Sequence, residues 1–193
     1  MKRAEIIKPR EITSDRPICV FGIMDTPKGQ TIADEMRPWL KQYYQLIEVW
    51  HDGSQFELPA LQEARRMSLT AHSSVLYIHS RGAVNEWGTT VPTRRLWRHE
   101  FGSQWRKYFD ICKRPTPTVV CPFVDYDRET RYNGFVANYA AWERCNLYPS
   151  MDRMVYERLW CKDTETRVMG TIFDGNADIN KIRKFLLLNY GQN

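Results

Sequence analysis

The sequence predicts an α/β fold with a mostly parallel central sheet flanked by helices, and two observations carry that prediction. Three apolar runs, Ile18–Met24, residues 46–50 and Val75–His79, have centres about 30 residues apart, the length of a βαβ unit. Between them lie stretches whose apolar residues recur at helical spacing, so strand and helix alternate and build a parallel, doubly wound half-sheet. The 193 residues suit one domain with a proper core.

Each element has its own signal. Residues 1–16 mix charges and read as a flexible lead-in, with the domain proper at 17–193. Ile18–Met24 (ICVFGIM) is nearly continuously apolar, the mark of a strand buried on both faces, and Asp25 to Gly29 form a turn. Residues 31–44 carry Ile32, Met36, Trp39, Leu40 and Tyr43 at helical spacing, with Pro38 expected to kink or restart the helix. Residues 46–50 form a second strand closed by His51, Asp52 and Gly53, and 59–71 a helix with Leu61, Ala64, Met67 or Ser68 and Ala71 inward. Val75–His79 is the third strand, followed by a Gly- and Thr-rich loop at 80–92. Residues 93–113 read as the longest helix, with Trp97, Phe101, Trp105, Tyr108 and Cys112 on one stripe and most arginines elsewhere. Pro115 and Pro117 end it, and Thr118–Val124 is a fourth strand. A short strand at 134–138, helices at 140–145 and 152–161, a strand at 167–173 and a closing helix at 178–189 complete the chain.

Composition narrows the classes. Hydrophobic residues at 42% and aromatics at 13% exclude wholesale disorder. No apolar run approaches the roughly 20 residues of a membrane span, and the N-terminus lacks the apolar stretch of a signal peptide, so a soluble chain is expected. Five cysteines without a C-x-x-C pair read as reduced, buried thiols in a cytoplasmic compartment. The formal charge of +5 is a mild bias toward nucleotides, nucleic acid or phosphosugars. Phosphate-loop, dinucleotide-fingerprint, zinc-peptidase and lipase motifs are absent from the sequence.

Three segments have the residue types for chemistry. His79, Ser80, Arg81 and Gly82 follow the third strand and bring an imidazole, a hydroxyl and a guanidinium to the sheet's carboxyl edge. There the arginine's planar fork suits phosphate and the glycine lets backbone approach a ligand; an ordinary turn is the competing reading. Asp125 and Asp127, after the fourth strand, can share Mn2+ or Mg2+ beneath a diphosphate, or form a solvated turn. Glu157, between aromatic Tyr156 and Trp160, suits a general base whose proton affinity is raised by desolvation, or a structural partner of Arg153 four residues earlier. Ligands in doubly wound sheets bind beyond the carboxyl ends, which adds Met24, Asp25, Thr26 and Asp52 to the candidates. The basic, aromatic helix at 94–114 supports a second class of function, nucleic-acid binding or sugar transfer to DNA, with Trp97 or Trp105 stacking on bases. A third is a nucleoside hydrolase or deoxyribosyltransferase on a Rossmann-like sheet.

The motifs Y-I-H-S-R-G at Tyr77 to Gly82, L-W-R at Leu96 to Arg98, N-G-F-V-A-N at Asn133 to Asn138 and Y-E-R-L-W at Tyr156 to Trp160 run in the same order as those of a known family. In them the chain resembles small GT-A type glycosyltransferase domains of bacteria and viruses, many labelled rhamnan-synthesis or polysaccharide-modifying. Arg81 stands where that family has Lys, and N-G-F-V-A-N replaces its G-N-F-W-W-A. The resemblance implies a single-domain, Rossmann-like GT-A fold and a nucleotide-sugar donor, a UDP-sugar first, with a glycan or other hydroxyl-bearing macromolecule as acceptor. It implies that His79, Ser80 and Arg81 hold the diphosphate in place of the metal-binding D-x-D of many GT-A enzymes. Glu157 becomes the base that deprotonates the acceptor. Met24, Asp25, Thr26 and Asp52 hold base and ribose, and Gly82, Asn133, Gly134 and Arg153 are further substrate contacts.

Overall fold

The computed structural model describes residues 4–8, 13, 15–81, 83, 88–125, 130, 134–150, 159–160, 165–175 and 177–191. Its elements are β1 (Glu5–Ile7), β2 (Ile18–Met24), α1 (Pro27–Tyr43), β3 (Gln45–His51), α2 (Leu58–Ala71), β4 (Val75–His79), α3 (Thr90–Trp97), α4 (Trp105–Ile111), β5 (Thr118–Val124), β6 (Phe135–Ala137), α5 (Tyr139–Arg144), β7 (Arg167–Asp174) and α6 (Ile179–Tyr190). The strands form one seven-stranded sheet in the order β1-β3-β2-β4-β6-β5-β7.

The fold is α/β as expected, but the sheet is mixed rather than mostly parallel. β2 pairs in parallel with β3 and β4, and β5 with β7. β6 runs against both β4 and β5, and β1 runs against β3. The parallel part is the alternating β-α-β stretch that the periodicity revealed. The reversed strands are three residues each, too short for a pattern that shows direction.

Helices cover both faces. Cys19, Phe21 and Ile23 of β2 point toward α1, α3 and α6, whereas Ile18 and Val20 point toward α2, which shares its core cluster with Ala141 and Trp142 of α5. Tyr77, Phe135, Trp142 and Trp160 form an aromatic group on the second face, with Trp142 and Trp160 ring centroids 5.4 Å apart. Edge contacts of this kind add to their burial.

Several local expectations change. The lead-in is not wholly loose: Glu5–Ile7 is an edge strand, and the Gln45 side chain ties Thr13 and Arg16 to the start of β3. α1 runs through Pro38 unbroken; the hydrogen bond that proline cannot donate would have gone to Asp34, and both residues are exposed, where water can take its place. The long helix expected at 93–113 is three pieces, α3, a π turn at Arg98–Ser103, and α4. The π turn lets Phe101 and Tyr108 both stay buried, and the Tyr44 hydroxyl donates to the Phe101 carbonyl. Ala71, expected inward, is exposed at the end of α2. The helix expected at 152–161 lies mostly outside the described residues. Among the described residues no helix is long and apolar enough to cross a membrane.

Candidate functional site at the carboxyl edge

The first crossover leaves β2 for β3 on one side, and the chain then returns to β4 on the other. The direction of winding reverses between β2 and β4, so their carboxyl ends flank the position at which such sheets bind ligands. Two bonds join these ends: Ser80 N donates to Gly22 O at 2.7 Å, and Met24 N donates to Ser80 Oγ at 3.0 Å. Ser80 is thus 5% exposed and locks His79 and Arg81 beside Met24 and Asp25.

Neighbouring elements set each candidate. Asp25 N donates to His51 O, which carries the β3 ladder one residue past β2. Met24 lies over the Asp52–Gly53 turn, its Cε 2.6 Å from where a Cβ on Gly53 would stand; that flexible end could move aside, and it is the φ of +79 at Gly53 that calls for glycine. Asp52 is exposed and accepts from Ser54 N at 2.9 Å; the Ser54 hydroxyl first, and then this backbone bond, hold its carboxyl below the usual range. The Thr26 hydroxyl accepts from Gly29 N at 3.0 Å as the N-cap of α1, so it serves the helix, and α1's positive end opens at this edge.

Arg81 is positioned from behind. Arg94, 7% exposed, donates from Nη1 to Arg81 O at 3.0 Å and from Nε to Glu35 Oε2 at 3.0 Å, tying the exit of β4 to α1. Arg94 therefore faces inward. Arg95 donates to Tyr190 O, and Trp97 is 1% exposed in the core. Of the two tryptophans proposed to stack on bases, only Trp105 reaches the surface, and the Arg106 guanidinium lies 4.8 Å from its ring centre.

Trp97 also explains Gly134. A Cβ on Gly134 would stand 2.5 Å from Trp97 Nε1, so glycine here makes room for an indole that also borders His79, at 5.7 Å between ring centroids. Asn138, which closes the N-G-F-V-A-N segment, spends its side chain on the fold. It accepts from Thr118 N and Ala141 N and donates to the Arg114 and Thr116 carbonyls.

Asp125 ends β5 at the same edge, 3% exposed, with β6 between it and β4. Two strand spacings put the backbones of β4 and β5 about 10 Å apart. Asp127, Gly82, Asn133, Arg153 and Glu157 lie outside the described residues. Among the described residues no three His, Cys, Asp or Glu side chains converge as metal ligands.

Three residues at this edge escaped the motif reading: Gly22, His51 and Glu57. Gly22 faces His79 across the β2–β4 pair, and the space of its missing Cβ is bounded by Ala60 Cβ at 2.9 Å, His79 Cβ at 3.7 Å and His51 Nε2 at 3.8 Å. Glu57 Oε1 is 3.8 Å from His79 Nδ1. A glycine inside an apolar strand was the available signal, since it marks close approach of a neighbour. A shallow cleft of about 460 Å³ between α2 and the segment after α5, lined by Arg65, Arg66 and Leu147, lies away from the sheet's carboxyl edge. Comparison of the chain with protein-family models, with curated proteins and with solved structures finds no match.

Proposed function

We propose that the chain is a single-domain, GT-A type glycosyltransferase that moves a sugar from a nucleoside diphosphate donor, first a UDP-sugar, to a hydroxyl on a glycan or other macromolecule. The observation that carries this reading is the Ser80 lock, which sets His79 and Arg81 beside the ends of β2 and β3 at the switch point. In this reading the base and ribose lie against Met24, Asp25 and the Asp52 turn, and the diphosphate against Ser80, Arg81 and His79. A guanidinium is suited to that task because it holds its charge at any working pH and donates in pairs. Glu157, paired with Arg153, takes the proton from the acceptor hydroxyl. The acceptor oxygen then bonds to the anomeric carbon while the bond from that carbon to the diphosphate breaks, and the leaving group's charge falls to Arg81.

Asn133 and Gly134 border the sugar, although Gly134's close contact with Trp97 already accounts for glycine there. For Mn2+ or Mg2+ the proposed ligands are Asp125 and Asp127, beside Asp174 at the end of β7. Neutralisation of the diphosphate is assigned first to the protein's own cation, Arg81. Cys19, Cys112 and Cys121 are buried thiols, which supports a reducing, cytoplasmic setting.

Calorimetric titration with UDP-, GDP- and dTDP-sugars, with and without manganese, tests the reading. Binding of one donor class is expected, weakened at least tenfold by Arg81→Ala. Absence of binding across the panel overturns it.

A further inference from the structure

The amino edge of the sheet, about 20 Å from the carboxyl edge along a strand of β2's length, gathers a different set of side chains. Arg16 leads into β2, Lys41 stands in the last turn of α1 before β3, and α4 leads into β5; these three strands run the same way, so the three segments share this edge. They also touch one another. Arg16 Nη1 donates to the Lys41 carbonyl at 3.3 Å, and Tyr44, three residues on, has its ring centre 6.4 Å from that of Trp105 and 6.2 Å from that of Phe109. Tyr44 is buried and forms the floor, on which the half-buried Trp105 and Phe109 stand edge to face, 5.9 Å apart. Arg16, Lys41, Arg106 and Lys107 are exposed around them, and the Arg106 guanidinium lies 4.8 Å from the Trp105 ring centre. Two carboxylates stand on the same segments. Asp110 is paired with Lys113 at 2.7 Å, and Asp15, beside Arg16, accepts from the Thr13 hydroxyl.

We propose that this face binds single-stranded nucleic acid, with Arg16, Lys41, Arg106 and Lys107 on the phosphates and Trp105 and Phe109 against the bases. Charge alone would suit any polyanion, and a solvated helix face would account for the cations. The rings narrow the partner. A half-buried indole beside a phenyl ring offers flat surface to a flat group, and a polyanion that carries such groups unpaired is a single strand, since a duplex hides its base faces. Arg106 serves both needs, because a guanidinium held over an indole carries charge and presents a plane on which a base can stack. A lipid surface takes whole apolar side chains that stand clear of the protein, whereas these rings are sunk against Tyr44. The inference is independent of the transferase reading, because the Ser80 lock and Arg81 stand at the opposite edge of the sheet.

Fluorescence anisotropy of a labelled oligothymidylate of about 20 nucleotides, titrated with the full chain at several salt concentrations, tests the proposal. With about four phosphates neutralised, the slope of log affinity against log salt is expected near −2.8, so that binding weakens about fifty-fold between about 50 and about 200 mM salt. Arg106→Gln combined with Lys107→Gln should reduce that slope by about 1.4 and leave the urea midpoint in place, both side chains being exposed. Trp105→Ala is expected to weaken binding at least fivefold. Should it fail to fold, Trp105→Leu keeps an apolar side chain over Tyr44, removes the stacking plane and is read in its place. Absence of binding at about 50 mM salt, a slope that the double charge variant leaves unchanged, or full affinity in the Trp105 variant each overturns the proposal. So does tighter binding to a duplex of the same length, or binding to phosphatidylserine vesicles without binding to the oligonucleotide, which assigns the face to a membrane surface. Arg81→Ala is expected to leave oligothymidylate affinity unchanged; a loss there places the nucleic acid at the carboxyl edge and overturns the assignment to this face.

Discussion

Gly134→Ala separates a packing glycine from a ligand-contacting one. The added Cβ would stand 2.5 Å from Nε1, 2.7 Å from Cε2 and 3.0 Å from Cζ2 of Trp97. Carbon contacts are comfortable at about 3.5–4.0 Å, so the methyl arrives roughly 1 Å too close to a flat ring edge. Trp97 has little room to withdraw, being 1% exposed and packed beside His79. Overpacking of this kind costs about 1–3 kcal/mol. Gly134 does not have positive φ, so alanine also restricts the unfolded chain, which returns about 0.4–1 kcal/mol. A contact this close to a buried ring belongs in the upper half of that range, so the net loss is about 1–2.6 kcal/mol, read as a lower urea midpoint at unchanged slope. Trp97→Leu alone should cost about 3 kcal/mol as a large-to-small core change. In the double variant the clash is gone, so the two losses should fall short of their sum by about 1 kcal/mol or more. Strict additivity, or a Gly134→Ala protein of full stability, would refute the packing account and return Gly134 to the ligand.

Arg94→Met should release the Arg81 carbonyl and lower UDP affinity on the order of tenfold, about 1.4 kcal/mol, while leaving affinity for uridine unchanged; calorimetry with both ligands reads the difference. Arg37 holds Glu48 through Nε–Oε1 at 2.6 Å and Nη2–Oε2 at 3.2 Å, and Glu48 is 5% exposed, so Arg37→Met removes the cation from a buried carboxylate and leaves it the Trp50 indole as donor. With Arg37 itself 24% exposed, a loss of about 2–3 kcal/mol in chemical denaturation is expected, at or below the low end for a broken buried pair. Burial pushes the His51 imidazole below the usual histidine value, so as pH falls through about 6.5 the unfolded chain takes up a proton there before the folded chain does. Its contribution to stability should be constant above pH 7.5 and decline as pH falls from about 6.5, by at most about 1.4 kcal/mol per pH unit. Urea unfolding of His51→Gln against the unmodified protein from pH 8 to 5 should show that divergence.

The strands buried on both faces were legible because a continuous apolar run has few other uses, and β2, β4 and β5 have the residue bounds that their hydrophobicity suggests. Direction was not legible, because an apolar run reads the same for either orientation. A three-residue strand such as β6 acquires its reversed pairing only from the neighbours that receive it. The break in the long helix was hidden for a related reason. A π turn shifts the register of the stripe by about one residue, and the aromatic spacing of Trp97, Phe101, Trp105 and Tyr108 tolerates that shift. At the site, His79, Ser80 and Arg81 stood out as polar residues ending an apolar strand, and Asp125 for the same reason. Glu57 and His51 did not, because their meaning depends on Gly22 leaving space between strands that are distant in sequence.

The carboxyl edge narrows where an anion can sit more than the net charge of +5 does. Four of the five strands that point this way are followed by or end in aspartate: Asp25 after β2, Asp52 after β3, Asp125 after β5 and Asp174 at the end of β7. Two of these carboxylates have local duties, Asp52 to Ser54 N and Asp174 to Gly170 N, but their charge still repels a phosphate within a Debye length of about 8–10 Å. β4 is the exception, ending in His79, Ser80 and Arg81. The capped N-terminus of α1 opens beside it, after the turn that follows β2. Negative charge is thus spread along most of the edge, and positive charge gathers at β4. The same division bears on the basic helix. Its Arg94 is spent inside the fold on Arg81 O and Glu35, so part of the positive charge that the composition advertises serves to hold one guanidinium in place.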